Sequence, residues 1–85
     1  MTWSIEYTDT ALRALRKMDR QVARRLLDFM DERVAAAGNP RALGKPLRGA
    51  ALGSFWRYQV GDWRLICDLQ DSRLVVLVID AGYMQ

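Results

Sequence analysis

The chain has 85 residues, 51% of them hydrophobic, with a formal charge of +3, a single cysteine and no histidine. A chain of this length makes one domain, residues 1–85, that covers only about 60–65% of its unfolded surface, and it is too apolar to be disordered. The composition excludes a Ser-His-Asp set and an internal disulfide, makes a zinc site untenable and offers no run near the roughly 20 apolar residues of a membrane helix.

The segment "TWSIEYT" alternates. Trp3, Ile5 and Tyr7 face one way and Ser4, Glu6 and Thr8 the other, which predicts a half-buried strand. Thr8 or Asp9 is placed to cap a helix. "TALRALRKMD" puts Ala11, Leu12, Leu15 and Met18 on one stripe, and "RQVARRLLDFMDERVAAAG" does the same with Val22, Leu26, Phe29, Met30 and Val34. Asp19 is a candidate cap for this second helix, and Gly38-Asn39-Pro40 is its stop. The next stretch, 41–54, reads as a long Gly- and Pro-containing loop pinned by Leu43, Leu47 and Leu52.

Three strands follow. "SFWRYQV" and "WRLICDL" are joined by Gly61-Asp62, a hairpin signal, and "SRLVVLVID" comes after a turn at Asp71-Ser72. The order is β-α-α-β-β-β, an α+β domain with a helical hairpin on one face of a mostly antiparallel four-stranded sheet. No basic leader precedes the first strand, so a cytoplasmic protein without a membrane partner is expected.

With a two-residue turn at Gly61-Asp62, Val60 opposes Trp63, Gln59 opposes Arg64, Tyr58 opposes Leu65 and Arg57 opposes Ile66. Opposed side chains share a face. Trp56, Tyr58, Val60, Trp63, Leu65 and Cys67 then line the core, with Leu74, Val76 and Val78. Phe55, Arg57, Gln59, Arg64, Ile66 and Asp68 fall on the other face, with Val75, Leu77 and Ile79. Continued past Gly82, the alternation would bring Tyr83 there too. Arg57 and Arg64 are like charges on neighbouring strands, an arrangement that an anion stabilises. A phosphate or a partner's carboxylate would serve, and so would plain solvation of two surface arginines. Residues 41–64 hold Arg41, Lys45, Arg48, Arg57 and Arg64 against Asp62 alone, a local basic surface suited to a polyanion or an acidic protein.

The segments "IEYTDTALRALRKMDRQVARRLLDFM", "NPRALGKPLRG", "FWRYQVGDWRLICDL" and "LVVLVI" resemble, in this order and over residues 3 to 79, the RelE/ParE superfamily of bacterial toxins from type II toxin–antitoxin systems, and the RelE branch in particular. The resemblance implies a RelE-like fold and a ribosome-dependent mRNA endoribonuclease that inhibits translation without metal, cofactor or histidine. In such enzymes the 2′-hydroxyl attacks the adjacent phosphate, leaving a 2′,3′-cyclic phosphate and a 5′-hydroxyl. The implied partners are a cognate RelB-like antitoxin, the ribosome and mRNA, with operator DNA reached only through the antitoxin complex.

By the same resemblance, Arg64 is expected to bind the scissile phosphate, Arg57 to act beside it, and Lys45 and Arg48 to touch ribosomal RNA. Gln59, Phe55 and Tyr83 complete the expected RNA-binding face. Gln59 stands where some relatives carry a basic residue. The ending "VLVIDAGYMQ" keeps Gly82 but lacks the family's following basic cluster and Val-Tyr pair, and Asp80 adds a negative charge. This chain is therefore expected to be catalytically weak or dead. A ParE-like inhibitor of DNA gyrase and a non-catalytic antitoxin-binding co-repressor are the alternatives.

Overall fold

The computed structural model describes residues 2–47 and 55–84. Strand β1 (Ser4–Tyr7) exposes Ser4 and Glu6 and half-buries Ile5 and Tyr7, as the alternation predicts. Thr8 then does three jobs. Its amide donates to the Val78 carbonyl (3.0 Å), its hydroxyl donates to the Ile79 carbonyl (3.0 Å), and the same hydroxyl oxygen accepts from the Ala11 amide (3.1 Å). The last bond caps helix α1 (Asp9–Arg16). Asp19 caps helix α2 (Arg20–Phe29) by accepting from the Gln21 amide at 2.7 Å.

The second helix does not run on regularly to Gly38. Met30–Val34 widens into a π turn, and the Ala35 amide donates to the Met30 carbonyl five residues back at 2.8 Å. Met30 and Val34 both stay fully buried, and the Ala35 carbonyl accepts from the Trp3 amide. The apolar periodicity alone does not reveal the extra residue in the turn, because alanines fill positions 35–37.

Asn39 caps a 3-10 turn, Pro40–Leu43, by accepting from the Arg41 amide. Strand β2 (Lys45–Pro46) follows. It lies in the stretch expected to be loop, because two residues between Gly44 and Leu47 carry no alternation to detect. Arg48 and Leu52 lie outside the described residues. Strands β3 (Phe55–Val60), β4 (Trp63–Gln70) and β5 (Val75–Tyr83) complete a five-stranded sheet, ordered β1-β5-β4-β3-β2. β1 runs parallel to β5, and the other pairs are antiparallel. The expected helical hairpin on a mostly antiparallel sheet is present, with β2 as an added edge strand.

The β3–β4 hairpin has the predicted register, with Val60 opposite Trp63 and Arg57 opposite Ile66. Gly61 holds a left-handed backbone (φ 60°) that its missing Cβ permits. The next turn is longer than expected. Gln70 pairs with Val75, so the turn spans four residues, Asp71–Leu74, and Leu74 takes the left-handed conformation (φ 52°). A shift of two residues keeps every face assignment, and Val76 and Val78 enter the core as predicted.

A bulge then inverts the pattern. Cys67 pairs with Val78, but Ile66 pairs with Asp80, so Ile79 is an extra residue in β5. Beyond it Ala81 turns into the core, Gly82 lies opposite Arg64, and Tyr83 lies opposite Trp63. The expectation that Tyr83 would share the arginine face is therefore wrong. The aliphatic rim expected on that face is also less open than a binding patch. Val75 is buried, Ile66, Leu77 and Ile79 are half-buried, and Tyr83 is the one exposed large hydrophobic residue among those described.

Candidate functional site

The register lays out the open face row by row. Lys45, Arg57, Ile66 and Asp80 form one row across β2 to β5, and Gln59, Arg64 and Gly82 form the next. Phe55, Asp68, Leu77 and Glu6 form a third. Lys45 and Arg57 are thus directly opposed like charges, a pairing that costs stability when no anion lies between them. Among the described residues the ion pairs are Arg24–Asp28, Arg41–Asp71 and Arg73–Glu6. None neutralises Lys45, Arg57 or Arg64.

Two adjoining hollows sit against Lys45 and Arg57. One, of about 570 Å³, is lined by Lys45, Pro46, Leu47 and Arg57. The other, of about 210 Å³, is lined by Gly44, Lys45, Arg57, Gln59 and their neighbours. Arg64 lies over Gly82. Its Nη1, Cζ and Nη2 stand 3.6, 3.7 and 3.7 Å from the place a Cβ would occupy. Three nearly equal distances mean that the guanidinium lies flat on that residue. Its Nη1 is buried and has no hydrogen-bond partner, although a buried donor left unpaired costs about 1–3 kcal/mol.

The sequence-predicted residues are not all brought together. Lys45, Arg57, Gln59 and Arg64 share the face, and Gln59 spends its amide Nε2 on the Gly61 carbonyl (3.2 Å). Phe55 is half-buried two positions along β3, opposite Asp68. Tyr83 stands edge-on to Trp63, with centroids 5.2 Å apart, on the opposite face from Arg64. Arg48 lies outside the described residues. Two features escaped the sequence reading: the direct opposition of Lys45 and Arg57, hidden because β2 is so short, and Gly82 as the floor under Arg64, hidden by the bulge.

The loop that delivers Lys45 is fixed from behind. The Tyr58 hydroxyl donates to the buried Pro40 carbonyl at 2.8 Å, and Gly44 lies so close that a Cβ there would stand 2.9 Å from the Tyr58 ring. Burial pushes the Tyr58 hydroxyl well above its usual range, so it remains a neutral donor. Burial likewise pushes up the Cys67 thiol beneath the sheet. Arg41 grips Asp71 with two bonds, 2.7 and 2.9 Å, and lies 5.6 Å over the Trp56 ring. Among the described residues no three acidic or cysteine side chains gather to hold a metal ion, and no helix is long and apolar enough to cross a membrane.

The family described as the ParE toxin of the type II toxin–antitoxin system parDE matches residues 5–83. The chain belongs to this toxin family, within the RelE/ParE superfamily. Solved structures agree on the fold of this ParE-family chain. A chain of the toxin–antitoxin complex RelBE2 from Mycobacterium tuberculosis superposes with a TM-score of 0.88 at 23% identity, over 98% of this chain and 92% of that one. The isolated RelE toxin of E. coli gives 0.75 at 22% identity, over 98% and 85%. A YoeB/ParE toxin from Agrobacterium tumefaciens gives 0.68 at 16% identity, over 96% and 99%. No curated protein matches the chain.

Proposed function

We propose that this ParE-family toxin seats an RNA phosphate between Lys45, Arg57 and Arg64 and inhibits translation, while cutting RNA weakly or not at all. One observation carries the reading. A buried, unpartnered Arg64 nitrogen and an uncompensated Lys45–Arg57 pair lie on one face. An oxyanion offsets the Lys45–Arg57 repulsion and accepts from the forked donors of Arg57, and it would meet the buried Arg64 nitrogen once that guanidinium lifts from Gly82.

The cleavage step needs more than cations. The 2′-oxygen must lose its proton as it attacks phosphorus, and the departing 5′-oxygen must gain one. Arg57 and Arg64 would stabilise the charge gathering on the phosphoryl oxygens. The carboxylates of Glu6, Asp68 and Asp80 share the open face through the pairings of β1, β4 and β5, and an ionised carboxylate accepts a proton. The bulge has turned the Tyr83 hydroxyl away, so no phenol serves as the donor. Phosphate binding then outlasts chemistry.

A RelB-like antitoxin would neutralise this toxin by covering the cationic face with a segment that folds on binding, and operator DNA would be met only through that complex. The test pairs two readouts in a cytoplasmic extract: protein synthesis, and mRNA cleavage on programmed ribosomes. Wild-type chain should slow synthesis with little cleavage, and Arg57→Ala and Arg64→Ala should each relieve the inhibition. Efficient A-site cutting by the wild type would refute the weak-nuclease reading.

Inhibition of DNA gyrase is the second reading, favoured by the ParE description of the matching family. It takes the place of the first if the chain blocks gyrase supercoiling and leaves ribosomes unaffected.

A further inference from the structure

The helical layer carries its own concentration of positive charge. Between residues 13 and 25 the chain has Arg13, Arg16, Lys17, Arg20, Arg24 and Arg25 against Asp19 alone. All six cations are exposed. Asp19 is spent as the α2 cap, on the Gln21 amide, and among these cations only Arg24 has a carboxylate partner, Asp28. The C-terminal end of the α1 dipole accounts for three of them, Arg13, Arg16 and the C-cap Lys17. It does not account for Arg20 and Arg25, which lie on α2, away from its C-terminus.

This corner is joined to the open sheet face. The Arg25 Nη2 reaches the β3–β4 turn, 3.1 Å from where a Cβ of Gly61 would stand. The Gly61 carbonyl accepts from Gln59, and Gln59 is opposite Arg64. The contacts therefore run from the helical corner, around the hairpin tip with its Asp62, onto the cationic face.

The composition of the corner says what it would hold. Its exposed positions are charged or amide side chains, and Ala14, Met18, Val22 and Ala23 turn inward against the core. The buried centre of a protein interface is depleted of charged residues and enriched in apolar ones. A nucleic-acid backbone needs no apolar centre, because phosphate contacts and released counterions supply the affinity, and arginine is the side chain matched to phosphate. We infer that the α1–α2 corner is a second phosphate-backbone contact surface, continuous through Arg25 and Gly61 with the sheet face, so that structured nucleic acid wraps the edge of the toxin. The inference rests on the phosphate reading of the sheet face for its continuity, and the corner can be tested alone.

The test measures binding of a short fluorescent RNA duplex at several salt concentrations. The proteins compared are the full chain, Arg16→Ala/Arg20→Ala and Arg57→Ala/Arg64→Ala, each checked for folding by circular dichroism and thermal melting. Loss of two phosphate contacts should flatten the dependence of log K on log salt by about 1.8. The charge-keeping variant Arg16→Lys/Arg20→Lys should restore the slope, which a merely structural effect would not do.

A flattened slope in both alanine proteins supports the continuous surface. Flattening in the corner variant alone supports the corner and removes the sheet-face reading. An unchanged slope in the corner variant overturns the inference and leaves the sheet-face reading standing. Wild-type chain that ignores the duplex, or releases it to polyglutamate of equal charge, also overturns the inference and points to an acidic protein instead.

Discussion

The guanidinium of Arg64 lies flat on Gly82, with its Nη1 buried and unpartnered. The glycine is there because one bulged residue, Ile79, shifts β5 by a single position. Gly82→Ala is expected to be mild, since a Cβ would meet Arg64 at ordinary contact distance, 3.6 Å. Gly82→Val should lift the guanidinium off its floor and weaken duplex binding by about tenfold or more, the worth of a charged hydrogen bond. Equal binding by the alanine and valine proteins would show that Arg64 does not depend on this floor.

Arg64 should be costly to the fold. Replacing it by Met keeps the aliphatic stem and removes the buried donor. Arg64→Met is expected to stabilise the chain by about 1 kcal/mol, a rise of about 4–8 °C in Tm for a domain of this size, and to abolish growth arrest. A drop in Tm of similar size would mean that Nη1 finds a partner in solution.

Tyr58 and Gly44 hold the Lys45 loop. Tyr58→Phe leaves the Pro40 carbonyl buried without its donor and should cost about 1–2 kcal/mol in urea unfolding. Gly44→Ala drives a methyl into the immobile Tyr58 ring and should cost about 1–3 kcal/mol. Both changes should also weaken anion binding, because Lys45 directly follows Gly44 and the Tyr58 ring packs on Gly44. Near-zero effects in both would separate the loop from this anchor.

Acid should loosen the Arg41–Asp71 clamp. The Arg41 hydrogen bond holds the Asp71 carboxyl below its ordinary 3.8. A lowered folded-state pKa contributes stability that is complete above the unfolded value and fades as pH falls through the folded one. The loss should therefore appear below about pH 4, and Asp71→Asn should remove its share of the acid sensitivity. An NMR titration that puts the Asp71 midpoint at or above 3.8 would show the clamp open in solution.

Cys67 should be inert. Its thiol is fully buried under the sheet and pushed upward by that burial, so the thiolate that reacts is scarce. Folded chain should resist a thiol reagent at pH 8 and react fully in denaturant. Rapid labelling of the native protein would reveal opening of β4.

Much of this was legible in the chain. Thr8 and Asp19 mark the helix starts. Gly61-Asp62 sets the hairpin register, and alternation from Phe55 to Asp68 assigns Arg57, Gln59 and Arg64 to one face. These signals are local: a capping hydroxyl, a turn residue, a period of two. The resemblance to RelE/ParE toxins rests on the same segments.

The remaining features depend on contacts between distant parts of the chain. Lys45 faces Arg57 because a two-residue strand pairs with β3, too short to leave a pattern. Val78 and Ile79 are both apolar, so nothing in their order announces a bulge. It is held by Thr8, whose hydroxyl takes the Ile79 carbonyl across 71 residues of sequence. Sequence alone thus determined the two main helices, the four longer strands, most of the core and the arginine face. The tertiary structure decided what stands opposite Arg64, Gly82 where the unbroken register would place Ala81, and it turned Tyr83 to the other face, because a one-residue slip in a strand reverses every side chain beyond it.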